Sequence, residues 1–393
     1  MRQSPRRIHL FKVKSARIMK VAFALEMEWG LKHHSEIYAG CQRFANEANW
    51  ETSIIPNSPK VLETGSYDGI IARVGTSLNK MAEHKKIPLV NVWQNSPVKD
   101  VASVFSNNYE TGAIAAEHLL GRGLRRFGFL GYNRDKADIQ QLDGYTKTLK
   151  KEGYQSTIFK FNRSVIEGNT EGWEQFILQL RKWGKGLQPP VGIHATSDIT
   201  CRYLIEICKS LELKIPHDLA IVGSGNEPLI CSSPYPSLTS IDKNFEEVGY
   251  QAAKLLDEMM KNGKKSKEAK YCQPQGIVPR QSTDSYASDH PKVALALRYI
   301  AESANRRIKV NDVVNAVATN RRTLERNFSE FTGRTISQEI SRMRIERAKR
   351  LMMESNLSLK ELSAELGYRN SDHFYKSFLR VEGQTPSSFR KAR

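Results

Sequence analysis

The sequence has no apolar run near the roughly 18 residues that a membrane helix needs, so membrane-spanning classes are set aside. Cysteine is sparse: Cys41, Cys201, Cys208, Cys231 and Cys272 are odd in number, scattered, and without CxxC or His/Cys metal spacing. That pattern excludes a disulfide framework and a structural metal site, and fits the reducing cytoplasm. The short motifs of hydrolytic and nucleotide chemistry are absent as well. There is no P-loop, no GxSxG elbow, no HExxH, and no carboxylate pair recognisable as that of a glycosidase. No catalytic residue, metal ligand or cofactor is therefore expected, and the chain reads as a non-enzyme. Acidic residues are outnumbered, 42 Asp and Glu against 60 Lys and Arg, for a formal net charge of +18. Such an excess favours a polyanionic partner, because cations that neutralise phosphates release condensed counterions.

What is present falls into regions with different patterns. A length of 393 residues exceeds what one hydrophobic core usually organises. Residues 1–19 read as a basic N-terminal tail; Ile8 to Val13 is interrupted by His9 and Lys12, which argues against a secretory address. From Lys20 to about residue 284, short β-branched runs alternate with helix-length amphipathic stretches, the pattern of βα units around parallel sheets. Strands are predicted at 20–25, 52–55, 69–72, 88–92, 127–131, 157–161, 191–195, 219–223 and 237–241. Helices are predicted at 35–48, 109–120, 139–151, 173–183, 199–211 and 245–261. So many strands exceed one doubly wound sheet, and a two-lobed domain with a cleft is the economical arrangement. Residues 285–290 lie in a polar, turn-rich linker, and 291–393 read as all helix. From Asp289 onward 21 basic residues face 12 acidic ones, so this end is the candidate for nucleic acid.

The helical region repeats itself. Leu324, Phe328, Gly333 and Thr335 recur fifty residues later as Phe374, Phe378, Gly383 and Thr385. Upstream, Val310, Val313 and Val317 match Leu359, Leu362 and Leu366 in helical spacing. Each copy reads as a short helix, a tight turn and a second helix, a unit whose second helix can enter the major groove. Asn320, Arg321, Arg322, Thr323 and Arg326 open the first reading helix; Arg369, Asn370, Ser371, Asp372, His373 and Lys376 open the second. Arg matches a guanine edge and Asn an adenine edge with paired hydrogen bonds. Lys376, Arg380 and Arg390 are placed as phosphate anchors. Ile336, Ile340, Met343, Arg347 and Leu351 mark one face of a connecting helix. Its span of roughly 28 Å compares with about 34 Å for one turn of DNA.

The stretch RIERAKRLMMESNLSLKELSAELGYRNSDHFYKSFLRVEGQTPSSFRK resembles AraC/XylS-type regulators along its full length, with Arg344, Ala348, Leu351, Leu362, Gly367, Phe374, Phe378, Gly383 and Pro386 in the expected places. Upstream, GIHATSDITCRYLIEIC, LAIVGSGNEPLI, PSLTSIDKNFEEVGYQAAKLL and VPRQSTD resemble the ligand domain of LacI/GalR-type repressors, itself similar to periplasmic sugar-binding proteins. That order of domains resembles the xylose operon regulators. The resemblance implies a sequence-specific DNA-binding regulator of carbohydrate-utilisation genes, an activator, working as a homodimer that contacts RNA polymerase. It also implies a small sugar-like effector that closes the cleft. A regulator that has lost sugar binding, constitutive or controlled by a protein, is the alternative.

A sugar site needs acidic and amide groups for hydroxyls and aromatic faces for the apolar side of the ring. Trp29, Trp93, Asn107, Asp135, Asp198, Asn226 and Asp242 stand at predicted strand ends. Asp198 is also a candidate helix cap. Three positions depart from the xylose group: Gly225 replaces an Asp, Leu142 stands near a usual Arg, and Asn107 replaces a frequent Asp. Losing a buried charged hydrogen-bonding group costs about 1–3 kcal/mol or more, enough to change the ligand, so the departures point away from xylose itself.

Overall fold

The computed structural model describes residues 17–27, 32–162, 170–232, 236–263, 268–284, 291–303, 306–355 and 357–391. Trp29, nearly all of the basic tail and the linker 285–290 lie outside these residues. In chain order the α/β part contains β1 (Lys20–Ala24), α1 (Lys32–Glu47), β2 (Glu51–Ile54), α2 (Pro59–Thr64), β3 (Gly69–Ala72), α3 (Thr76–Lys85), β4 (Leu89–Asn91), β5 (Ala102–Ser106) and α4 (Asn108–Gly121). It continues through β6 (Phe127–Tyr132), α5 (Lys136–Lys151), β7 (Ser156–Phe161), α6 (Thr170–Lys185), β8 (Val191–Ala195), α7 (Asp198–Ser210), β9 (Leu219–Ser224) and α8 (Pro228–Cys231). It closes with β10 (Thr239–Asp242), α9 (Phe245–Asn262), β11 (Ala269–Cys272), β12 (Gly276–Val278) and a 3-10 turn at Gln281–Thr283.

Two sheets result, with orders β11-β5-β4-β3-β1-β2 and β12-β10-β9-β8-β6-β7. In the first, β1 pairs in parallel with β2 and β3, followed by β3–β4, β4–β5 and β5–β11. In the second, β6 pairs in parallel with β7 and β8, followed by β8–β9 and β9–β10. The chain divides into two compact units: Met1–Glu110, Asp135–Gln140 and Asp242–Gly276 form one, and Thr111–Arg134, Gln141–Ile241 and Ile277–Arg393 the other.

The inner strands of both sheets are covered on both faces, which explains why β1, β3, β8 and β9 are apolar without alternation, while the edge strands β2, β7 and β11 are partly exposed. Along β1, Val21 and Phe23 enter a core shared with Ile37 of α1 and Leu256 of α9, while Ala22 and Ala24 enter another shared with Leu62 and Leu78. Along β9, Leu219 and Ile221 pack with Leu204 and Cys208 of α7, whereas Ala220 and Val222 pack with Leu119 of α4 and Leu149 of α5. Three strands were not foreseen: β5, β11 and β12. The ASVFS run of β5 looks polar, yet Ser103 and Ser106 are buried, with hydroxyls bonded to the carbonyls of Val101 and Lys243.

The rest is helical: α10 (Pro291–Glu302), α11 (Val310–Val317), α12 (Arg321–Thr332), α13 (Ile336–Glu354), α14 (Leu359–Glu365), α15 (Ser371–Glu382) and α16 (Pro386–Lys391). It carries two cores. Val313, Val317, Leu324, Phe328, Ile336 and Ile340 lie in one, together with Val293 and Ile300 of α10. Ile345, Ala348, Met352, Leu362, Phe374 and Phe378 lie in the other. Helix α13 serves both in turn, its first half closing the first core and its second half the second. Of the predicted face, Ile336, Ile340 and Met343 join the first core and Leu351 packs against the second, but the most buried residues of the second half are Ile345, Ala348 and Met352, because the two cores lie on different sides of the same helix.

Candidate DNA-reading helices and effector-facing groups

The reading helices are placed by caps as well as by cores. Asn320 precedes α12, and its side-chain oxygen accepts from the amides of Arg322 and Thr323 at 2.9 and 3.3 Å. Asn370 does the same for α15, accepting from His373 N at 2.8 Å. These oxygens satisfy amides that a helix start leaves unpaired, so the two asparagines extend the fifty-residue repeat as N-caps. Gly333 and Gly383 end the helices at φ 68° and 71°, a conformation costly for residues with a Cβ.

With Leu324, Phe328, Phe374 and Phe378 turned inward, the opposite faces are polar. Arg321, Arg322, Thr323 and Arg326 lie exposed on α12; Asp372, His373, Lys376 and Arg380 are exposed on α15, with Arg369 just before it and Ser371 half-buried. Arg321 pairs with Glu325 and Lys376 with Asp372, each at 2.9 Å along its own helix. Exposed pairs of this kind are worth only about 0.3–0.5 kcal/mol, so phosphate can replace the carboxylate. Arg322, Arg369 and Arg380 have no acidic partner among the described residues. Arg390, expected as a phosphate anchor, is turned inward instead: its guanidinium donates to the Leu357 carbonyl at 2.6 Å and ties α16 to the second core.

The remaining effector candidates divide between the units. In the first, Trp93 follows β4, and the Arg73 guanidinium lies 5.1 Å from its ring centre while pairing with Glu26 at 3.1 Å. Asp242 ends β10; it accepts from Lys32 Nζ and from Asn244 N, both at 2.9 Å. Burial opposes the Lys32 charge, but the Asp242 bond and charge outweigh it and raise the lysine pKa. Asn107 accepts from Glu110 N at 3.1 Å and lies 3.3 Å from Gln273 Oε1. Asp135 accepts from Asn95 Nδ2 at 2.6 Å and from the amides of Ala137 and Asp138, at the start of α5. Lys32 and Arg73 carry no motif that the sequence could have exposed.

In the second unit, Asp198 is buried with both oxygens engaged. Ser240 Oγ donates to one at 2.6 Å and Glu227 N to the other at 2.8 Å. The cap of α7 is Ser197 rather than Asp198, its hydroxyl accepting from Thr200 N. Asn226 accepts from Arg280 Nη2 at 2.7 Å. Gly225 adopts φ +123°, and a Cβ there would stand 3.2 Å from Asp198 Oδ2. No helix among the described residues is long and apolar enough to cross a membrane, and none of their His, Cys, Asp and Glu side chains form a group that could hold a metal.

Two parallel-sheet units and a pair of capped, cation-bearing reading helices define a class: helix-turn-helix transcription regulators with a periplasmic-binding-protein-like domain. The periplasmic binding protein-like domain family matches residues 116–283, and the helix-turn-helix domain family matches residues 313–392. The chain is 31% identical over 333 residues to the xylose operon regulatory protein of Haemophilus influenzae, covering 83% of this chain and 85% of that one. It is 28% identical over 331 residues to the xylose operon regulatory protein of Escherichia coli K12, covering 82% and 83%. The solved structure of a xylose-binding transcription activator superposes with a TM-score of 0.71 at 24% identity, over 96% of this chain and 99% of that chain. The chain belongs to the family of xylose operon regulatory proteins.

Proposed function

We propose that this protein is a cytoplasmic activator of carbohydrate-utilisation genes, binding DNA through α12 and α15 and controlled by a sugar-like effector. Twin capped helices, presenting Arg322, Arg369 and Arg380 without an acidic partner among the described residues and both braced on α13, carry this reading. Arg322 and Arg369 read base edges, and Lys376 and Arg380 anchor phosphates. A homodimer on paired half-sites, contacting RNA polymerase, is the working assembly. The effector is taken up by groups at the strand ends, with the Trp93 ring covering its apolar face and Arg73 and Asp242 meeting its hydroxyls.

The experiment is fluorescence anisotropy of the full chain on labelled duplex, comparing a promoter fragment of a sugar-utilisation operon with random sequence. Affinity is expected to fall by about 10³-fold or more between 50 and 200 mM salt if six or more phosphates are contacted, with the promoter preferred. A chain without salt-sensitive affinity for either duplex refutes the reading. One observation favours a second reading, in which the α/β part no longer takes a sugar: the Asp198 and Asp242 carboxylates are already engaged internally. A thermal-shift screen with pentoses and hexoses separates the two, because a ligand at a hundred times its Kd stabilises by about 2.7 kcal/mol and a missing site gives no shift.

A further inference from the structure

One short segment of the second unit touches both an effector candidate and the brace of the reading helices. At its start, Arg280 donates to the Asn226 side chain at 2.7 Å and to the Leu238 carbonyl at 2.8 Å, and its own amide bonds the Thr239 hydroxyl at 2.7 Å. The next residues are pinned to the sheet. Ser282 N bonds Ser237 O, Ser282 Oγ bonds Ile221 O at 2.5 Å and accepts from Thr239 N, and the Thr283 hydroxyl lies 2.8 Å from His118 Nε2. Ser282 and Thr283 are both fully buried.

Asp284 comes next in the chain. Its carboxylate lies 2.5 Å from Arg342 Nη2 on α13 and 3.9 Å from Arg122. Arg342 also bonds Glu339, one turn earlier on α13, and Glu339 in turn accepts from Arg334 at 2.9 Å. The Asp284 and Glu339 side chains are 6% and 2% exposed, so solvent and salt screen this cluster far less than a surface pair. Removing either partner of a buried pair strands the other charge.

We infer that residues 280–284 are a coupling segment, and that the Asp284–Arg342 ion pair transfers a change at Asn226 to α13 and so to both reading helices. This rests on the reading of the chain as an effector-controlled DNA binder. Helix α13 is suited to receive the change because it supplies residues to both helical cores, so displacing it displaces α12 and α15 together.

The test is hydrogen exchange of the full chain in three forms: wild type, the near-isosteric Asp284→Asn, and Lys209→Gln, which alters an exposed pair outside the network. Asp284→Asn is expected to accelerate exchange by about tenfold in both 219–226 and 336–343, while Lys209→Gln leaves both unchanged. A rise confined to α13, or none, overturns the inference. Arg342→Lys keeps the charge but not the planar fork, and should give a smaller rise in the same two segments. DNA affinity is measured beside this with D-xylose, D-ribose and L-arabinose present in turn. Where a sugar changes wild-type affinity, Asp284→Asn should reduce the ratio from about tenfold to under about twofold, and a retained ratio also overturns the inference. Wild type that fails to bind DNA refutes the regulator reading instead, while the exchange result still decides the coupling.

Discussion

Inserting a single alanine after Arg344, where α13 passes from one core to the other, should separate the two reading helices in rotation without emptying either core. Each added helical residue turns the downstream chain by about 100° and advances it by about 1.5 Å. Ile336 and Ile340 stay in the first core while Ile345, Ala348 and Met352 carry the second away as a body. The second reading helix then leaves the face of the duplex that the first one grips. If it supplies two contacts of about 1–3 kcal/mol each, through Arg369 and a phosphate anchor, about 2–6 kcal/mol is lost, roughly 30- to 10⁴-fold in affinity. Inserting four alanines turns the second unit by a net 40° or so and should cost less than inserting one, despite a translation of about 6 Å. The assay is anisotropy with footprinting: wild type should protect two patches about one turn of DNA apart, and the single insertion only one. Undiminished affinity, or a loss that grows steadily with the number inserted regardless of rotation, would refute simultaneous reading by both helices. Far-UV circular dichroism checks that each insertion variant remains folded.

Arg322→Ala and Arg369→Ala should each weaken promoter binding by about 1–3 kcal/mol per lost base contact while shifting stability by no more than about 0.5 kcal/mol, since both are exposed; an unchanged Kd removes that residue from the reading set. Phe378→Ala should cost about 3–5 kcal/mol because the ring is fully buried, and hydrogen exchange should rise around α14 to α16 while Leu324 and Phe328 keep their protection. Lowering pH should destabilise the protein through His118, whose pKa is lowered to about 3 by burial and then by the Arg122 charge. Its folded value lies below the unfolded one near 6.5, so the unfolded chain alone takes up a proton between those values. Stability should therefore fall by about 1.4 kcal/mol for each pH unit below roughly 6.5, and urea titrations at pH 7, 6 and 5 should show a flatter dependence in His118→Gln. Equal slopes in the two proteins would remove His118 from the account.

Much of this was legible in sequence because burial writes itself as pattern. The β1 run VAFA is apolar throughout since both sheet faces are covered, and the fifty-residue repeat survives because each copy closes a separate core around equivalent side chains. What escaped is of two kinds. Edge strand β11 pairs with β5, more than 160 residues earlier, and exposes Lys270 and Tyr271, so its local composition says nothing of a sheet. The effector candidates were ambiguous for a different reason. Strand ends that present ligand groups are also helix starts, where Asp and Asn are needed as caps, and Asp135 and Asn107 have taken that work. Arg342 carried no motif, and Arg280 stood in the VPRQSTD run with nothing to mark its role; only proximity in the fold gives them partners.

The three departures from the xylose group belong together once their surroundings are compared. Gly225 is held at φ +123°, and an aspartate there would combine backbone strain with a Cβ 3.2 Å from the engaged carboxylate of Asp198. Leu142 is packed into the apolar cluster of Phe129 and Tyr145, where an arginine in the same position would bury a charge among rings. Asn107 spends its oxygen on the first turn of α4. In each case the residue present has a structural partner in this chain, so restoring one charged group alone would meet an environment already adapted to its absence. A pentose that relies on three charged hydrogen bonds loses about 1–3 kcal/mol for each one missing, a factor of five or more at every position. The Trp93 ring beside Arg73 and the Asp242 carboxylate beside Lys32 are then the aromatic and charged groups that the proposed sugar-like effector would meet in place of those three.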